Sequence, residues 1–101
     1  SFSQRIQIKD DGIEIRGALG PHFMRWDAVN EVRVEDERSV AQVAAGDYRA
    51  LRRVLVLESP DDLLTLNPPT SRSRKQRLVD ALETHLPEFV LPEFRDAANR
   101  W

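Results

Sequence analysis

The chain contains no cysteine, little glycine and no long apolar run. The missing cysteine excludes disulfides, thiolate metal sites and cysteine nucleophiles. The longest unbroken aliphatic run, residues 54–57, has four residues, whereas a transmembrane helix needs about 20. Residues 1–9 alternate polar and apolar side chains and lack the apolar centre of a signal peptide. Because the chain opens directly into a strand-like pattern, we expect it to be a segment of a longer protein.

The 101 residues are enough for one domain with one hydrophobic core. Hydrophobic residues make up 41% and charged residues 32%, which excludes a disordered or membrane-embedded chain. The net charge of −2 argues against general electrostatic binding to nucleic acid or to an anionic membrane. Lys9 and Lys75 are the two lysines, so most positive charge is arginine, which suits bidentate pairing with carboxylate or phosphate.

The first predicted element is a β-hairpin around Asp11 and Gly12. An Asp-Gly pair between alternating apolar residues predicts a type I′ turn, because both residues accept a positive φ. A two-residue loop at these positions pairs Asp10 with Ile13. One face of this hairpin then carries four isoleucines, Ile6, Ile8, Ile13 and Ile15.

Short strands and turns are predicted through the middle of the chain. Glycine and proline within residues 17–21 indicate a break, and residues 23–26 a short strand. Residues 27–30 are typical of a tight turn, and residues 31–35 alternate as a half-buried strand does. Residues 39–49 fit either a helical turn or a weak edge strand, and we favour a loop or an edge strand.

A second hairpin is predicted after this stretch. Residues 53–58 are apolar with charged ends, as in a central strand, and residues 59–62 contain the proline of a turn. Residues 63–66 return as the partner strand. The four-residue loop pairs Leu57 with Leu64, which again places apolar side chains together.

An amphipathic helix is predicted over residues 72–86, ended by Pro87. Ser73 and Gln76 have the spacing of a capping box, and Ser71 is an alternative cap. The apolar side chains recur at helical spacing, at Leu78, Val79, Ala81, Leu82 and Leu86. This apolar stripe must lie against the sheet.

The tail repeats the sequence Leu-Pro-Glu-Phe, at residues 86–89 and 91–94. Pro92 can open a final short helix from Glu93 to about Arg100. The apolar side chains of this tail are Phe89, Leu91, Phe94 and Trp101. They dock on this domain, on another part of the parent protein or on a partner, and they are the candidate partner-binding residues.

The order of these elements resembles the bacterial pleckstrin-homology-like (PH-like) domains. Residues 23–29, Phe-Met-Arg-Trp-Asp-Ala-Val, are similar to the hydrophobic-Trp/Tyr-Asp-x-Ile/Val segment of that family. The Asp-Gly-Ile hairpin at 11–13 and Leu-Thr-Leu-Asn-Pro at 64–68 also fit. The resemblance covers residues 4–87.

The resemblance implies a mainly β, α+β fold, an antiparallel PH-like β-barrel or sandwich capped by a C-terminal α-helix. We expect residues 1–87 to form this domain and residues 88–101 to be an apolar tail or short helix. The family includes lipid-binding, peptide-binding and oligomerising members. Its phosphoinositide-binding members place basic residues around the first hairpin loop. Here residues 9–12 hold one base and two acids, which counts against phosphoinositide binding at that loop.

Four positive charges stand at the helix start, on Arg72, Arg74, Lys75 and Arg77. A helix N-terminus already carries partial positive charge and free N–H groups, so this cluster invites an anion. The alternative is a solvated cluster neutralised by nearby carboxylates. A second basic group, Arg49, Arg52 and Arg53, joins the first if the strand start lies near the helix start. We include Arg53 in the candidate anion site.

No catalytic motif is present in the sequence. His22 and His85 match no metal spacing, and the acidic pairs at 10–11 and 61–62 are typical of turns. Trp26 is expected in the core and Asp27 in a turn. We therefore expect no enzyme, no cofactor and no metal.

The sequence favours a non-enzymatic interaction or self-association module, the soluble part of a membrane-associated protein. The alternative is binding of an anion or an anionic-lipid head group at the helix start. The expected partner is a protein or a second copy. Nucleic acid is not expected, because the seven aromatics do not alternate with the basic clusters. The expected location is the cytoplasm, at the inner face of a membrane where the parent protein is membrane-bound.

Overall fold

Alternating apolar and polar side chains build two small antiparallel sheets. The computed structural model describes residues 4–17, 20–37, 46 and 52–101. The strands are β1 (Arg5–Ile8), β2 (Gly12–Gly17), β3 (Gly20–Arg25), β4 (Glu31–Glu37), β5 (Arg52–Glu58) and β6 (Leu63–Leu66). They form two three-stranded sheets, β1-β2-β3 and β4-β5-β6. Together with the helices that follow them, these sheets confirm the α+β class. Within the described ranges no ladder joins the two sheets, so a closed barrel is not observed.

The first hairpin has the predicted faces but a different register. Ile8 pairs with Ile13, two residues away from the predicted pairing of Asp10 with Ile13. The loop is Asp10-Asp11, closed by a hydrogen bond from the Lys9 N–H to the Gly12 carbonyl oxygen at 2.9 Å. Because side chains alternate with a period of two, a shift of two residues leaves all four isoleucines on the same face.

Gly12 is required by close packing and not by the turn. Its φ is not among the positive values of the described residues. A Cβ at this position would collide with the Met24 carbonyl oxygen and the Phe23 ring, both on β3. Gly17 lies at the other end of β2, where a Cβ would meet nothing within 4 Å.

We expect Gly12→Ala to destabilise the fold by about 1–3 kcal/mol, because the added methyl group overpacks a filled position. Gly17→Ala is the matched control, and it should change stability by no more than about 0.5 kcal/mol. Urea unfolding of the two variants measures the difference. Equal stabilities would show that the approach of β3 to Gly12 is not a constraint on the fold.

β3 begins earlier than the sequence indicated. The predicted break is confirmed between Gly17, where β2 ends, and Gly20, where β3 begins, but Pro21 lies within β3. Pro21 is tolerated in β3 because β3 is an edge strand. The uncertain stretch 39–49, apart from Gly46, lies outside the described residues.

The second sheet has the predicted register. Leu57 pairs with Leu64, and Leu55 pairs with Leu66, around the predicted four-residue loop. Residues 54–57 are all buried, which is typical of a central strand covered on both faces.

Two α-helices follow the sheets, α1 (Arg72–His85) and α2 (Leu91–Arg100). The cap of α1 is the alternative, Ser71, whose Oγ accepts a hydrogen bond from the Arg74 N–H at 3.2 Å. The preferred cap, Ser73, lies inside the helix. No helix in the described ranges is long and apolar enough to cross a membrane.

Trp26 belongs to the core, as expected. It begins the 3-10 turn Trp26–Ala28 and is 6% exposed. Its ring stacks on His85 at the end of α1, with centroids 5.1 Å apart and planes 9° from parallel. Its Nε1 donates a hydrogen bond to the Lys9 carbonyl oxygen at 2.8 Å. Trp26 thereby connects the first hairpin to the end of α1.

Most of the tail docks on its own domain, which is the first of the three predicted alternatives. A 3-10 turn, Glu88–Val90, leads into α2, which begins two residues before the predicted Glu93. The tail residues in the core cluster are Val90, Phe94, Ala97, Ala98 and Trp101. Phe94 and Trp101 are therefore core residues and are not available to a partner, because the domain itself covers them. Leu91 is half-buried, and Phe89 is 67% exposed.

The two phenylalanines of the repeated motif should differ sharply in their contribution to stability. Phe94 is fully buried, so Phe94→Ala should lower the free energy of unfolding by about 3–5 kcal/mol. Phe89→Ala is the control and should change it by no more than about 0.5 kcal/mol. Chemical denaturation measures both. A small effect at Phe94 would mean that α2 does not belong to the same cooperative unit as the sheets.

Candidate binding groove

A groove with a volume of about 710 Å³ lies between β1 and α1. Among the described residues its floor is apolar and half-buried, and is formed by Ile6, Ile8, Leu78 and Ala81. Its border carries four exposed arginines, Arg5, Arg52, Arg74 and Arg77. We call these eight residues the groove.

The groove exists because α1 packs on the core mainly through its second half. Leu82 is fully buried and Leu86 nearly so, whereas Leu78, one turn earlier, is half-buried. The part of the apolar stripe nearest the helix start therefore faces the groove. Since Ile6 and Ile8 share the inner face of their sheet with Ile13 and Ile15, their open sides form the opposite wall.

One end of the groove is fixed by the side chain of Gln4. Its Nε2 donates a hydrogen bond to the Thr65 carbonyl oxygen at 2.8 Å. Its Oε1 accepts a hydrogen bond from the Asn67 N–H at 2.8 Å. This amide uses the same pattern of donor and acceptor as a neighbouring strand, so it ties the start of β1 to β6 without a ladder.

The border of the groove is strongly positive. Arg52 pairs with Glu37 at 3.1 Å, but Arg5, Arg74 and Arg77 form no ion pair with a carboxylate of the described part of the chain. The groove lining, as far as the structure describes it, contains no acidic residue. Guanidinium groups above an apolar floor are suited to carboxylates or phosphates attached to an apolar body.

The structure brings together part of the predicted anion site. Arg74 and Arg77 border the groove, and Arg52, from the second basic group, lies beside them. Arg72 is exposed and does not line the groove. Sequence reasoning missed Arg5, because nothing in the sequence shows that the start of β1 lies near α1. Arg49 lies outside the described residues.

Lys75 and Arg53 have structural contacts instead. The Lys75 Nζ donates a hydrogen bond to the main-chain oxygen of Trp101 at 2.6 Å. Arg53 donates through Nη1 to the Arg100 carbonyl oxygen at 3.1 Å and pairs with Asp36 at 3.4 Å. These two basic residues hold the end of α2 in place. They are therefore engaged in long-range contacts that the sequence could not indicate.

Among the side chains that the structure describes, one histidine lies close to a carboxylate, and this contact connects β3 to the turn before β6. Within the described residues, His22 Nε2 on β3 lies 2.5 Å from Asp62 Oδ2, in the turn before β6. The hydrogen bond from His22, and a second from the Leu63 N–H, lower the pKa of Asp62. Both side chains are 44% exposed. No group of three or more metal-binding side chains was found among the positions that the structure describes.

The register between β4 and β5 also brings two carboxylates together. The sequence analysis did not identify this pair. Glu31 and Glu58 are directly opposite each other on β4 and β5. Glu58 raises the pKa of Glu31, and the hydrogen bond between them lowers the pKa of Glu58. Arg33 compensates this repulsion, since its Nη1 lies 2.9 Å from Glu58. Glu31 is exposed and Glu58 is half-buried on the strand surface, so we interpret the pair as part of a surface charge network.

We expect Asp62→Asn to remove a pH-dependent part of the stability. The folded-state pKa of Asp62 is lowered, so its contribution is present above the unfolded-state pKa and is lost as the pH falls below about 4. The effect should stay below about 1 kcal/mol, because the pair is exposed and screened by solvent. Urea unfolding from neutral to acid pH measures it, with Asp61→Asn as the control. A constant difference between wild type and Asp62→Asn at every pH would contradict the assignment.

Comparison with known proteins places the groove inside a family domain. The family model described as Bacterial PH domain matches residues 4–86. This span contains both sheets, α1 and both walls of the groove, and it ends before the turn that carries Phe89. The resemblance seen over residues 4–87 is confirmed by this match. No curated protein and no solved structure matches the chain.

Proposed function

Because the chain belongs to the bacterial PH domain family, we propose that it is a binding module that takes a protein segment into the groove between β1 and α1. PH-like domains are generally non-catalytic binding modules. The observation that carries the proposal is the combination of an apolar floor with a border of four arginines in one groove. An inorganic anion uses only the arginines, whereas a polypeptide with apolar and acidic side chains uses both.

The position of β1 supports a polypeptide as the ligand. Within the described residues, β1 is one of the two edge strands of its sheet. Arg5 and Ile6 point to opposite faces of that sheet, yet both line the groove. Within the described residues no strand pairs with the outer edge of β1, so the groove runs past an edge where a bound polypeptide can contact the main chain as well as the side chains. The free edge of β4 is less accessible, since the Val32 N–H donates to Glu93 Oε2 on α2 at 3.3 Å.

A second candidate is the head group of an anionic lipid, for which the four arginines also provide partners. This reading places the chain at a membrane surface through its parent protein. Two observations make it the weaker candidate: the net charge is −2, and the first hairpin loop carries Asp10 and Asp11. The apolar floor is also better matched by the spaced side chains of a peptide than by a head group alone.

An NMR titration of the labelled chain with a short peptide of alternating Glu and Val tests the proposal. We expect amide shifts in residues 5–8 and 74–81. The double variant Arg74→Glu/Arg77→Glu should weaken binding at least about tenfold, since each lost charge-assisted hydrogen bond is worth about 1.5 kcal/mol or more. The variant should still fold, because both positions are exposed and Arg74 lies in the first turn of α1, where an acidic residue is favourable.

Arg25→Glu is the matched control, because Arg25 is an exposed arginine on β3 that pairs with Asp27 at 3.0 Å. It should leave peptide binding unchanged. Equal loss in both variants would indicate general electrostatic attraction and would overturn the proposal. Vesicles that contain phosphatidylserine form the second arm. Binding to vesicles that depends on Arg74 and Arg77, with no response to the peptide, would favour the lipid candidate instead.

A further inference from the structure

We infer that the protein segment bound in the groove is the Glu88-Phe89 corner of a second copy of this chain. This inference rests on the proposed function of the groove and names its partner. The corner is the exposed part of the 3-10 turn Glu88–Val90, between α1 and α2. It lies outside the span matched by the family.

Phe89 has the features of an anchor for an apolar groove. It is 67% exposed, more than the other exposed large apolar side chains of the described residues, Phe23 at 40% and Leu63 at 42%. Its neighbours Leu86 and Val90 are buried on either side, at 5% and 0% exposure. The ring is therefore held outward on an ordered turn, so little conformational entropy is lost when it binds.

The charge next to Phe89 complements the groove. Glu88 is exposed and precedes the ring directly, so a ring on the apolar floor brings a carboxylate to the arginine border. Phe23 has a positive charge beside it instead of a negative one, because the Lys9 ammonium lies 5.9 Å from its ring centroid. Leu63 follows Asp62, whose carboxylate is already engaged by His22. Of these three side chains, Phe89 fits the groove in both polarity and charge.

The contact must form between different copies. The groove uses Arg74, Arg77, Leu78 and Ala81 of α1, whereas the corner follows the other end of that helix. α1 advances about 10 Å between Leu78 and His85, and Phe89 does not line the groove of its own chain. One surface of each copy therefore meets a different surface of the next. Two copies that make this contact reciprocally form a two-fold dimer, whereas a contact made in one direction only produces head-to-tail rings or filaments.

Sedimentation velocity of the full chain tests the inference through two variants that each lose one surface. Wild type should sediment faster as its concentration rises, and added salt should reduce this effect. Phe89→Ser, and separately Arg74→Glu/Arg77→Glu, should each sediment as a monomer. Mixed together, the two should form a one-to-one dimer that grows no further, because the mixture retains one intact groove and one intact corner. Leu63→Ser is the control and should assemble like wild type.

The outcomes separate the inference from the proposed function. If both variants assemble like wild type, or the mixture stays monomeric while wild type assembles, the inference is wrong. If wild type is monomeric at every concentration but the Glu-Val peptide still binds through Arg74 and Arg77, the inference is wrong and the proposed function stands. If neither assembly nor peptide binding depends on these arginines, both are wrong.

Discussion

In the described part of the chain, the two three-stranded sheets are not joined edge to edge, so their shared apolar interior is open along the sides. The rest of the structure depends on how that interior is closed. α2 closes one side with Phe94 and the end of the chain. The stack of Trp26 on His85 closes another, and Gln4 joins one corner with a single amide. As far as the described residues show, the groove is the side that these contacts leave open. The candidate site therefore follows from the fold, because the small core is not covered on every side.

Local sequence patterns predicted most of the strands and helices, but they did not predict which residues far apart in the sequence come into contact. Period-two alternation placed the four isoleucines on one face even though the loop lies one residue earlier than predicted, which shifts the register by two residues. In the second hairpin, a four-residue loop next to a continuous apolar strand restricts the possible registers, and the predicted register is correct. The partners of Lys75 and Arg53 lie 26 and 47 residues away, where sequence spacing carries no information. The groove depends on the same kind of distant approach, so the sequence indicated Arg74, Arg77 and, conditionally, Arg52, but not Arg5.

The repeated Leu-Pro-Glu-Phe motif shows why identical short sequences have different roles. The second copy starts a helix, whose period turns Phe94 toward the core. The first copy ends a helix, and its phenylalanine lies in a 3-10 turn with Val90 taking the inward position. Charge is also unevenly distributed over the surface, although the net charge is only −2. Carboxylates gather around Arg33 on the second sheet, whereas arginines gather at the groove.

The hydrogen bond from Lys75 to the main-chain oxygen of Trp101 has a mechanical consequence. Lys75 stands on α1 between Arg74 and Arg77, so the wall of the groove and the end of α2 are fastened at one point. A load applied to α2 is transmitted to that wall. If α2 is pulled from its seat, the Lys75 ammonium is released beside the two arginines, and the wall loses a support as it gains a free charge. The position of α2 and the charge at the groove wall are therefore linked through one hydrogen bond.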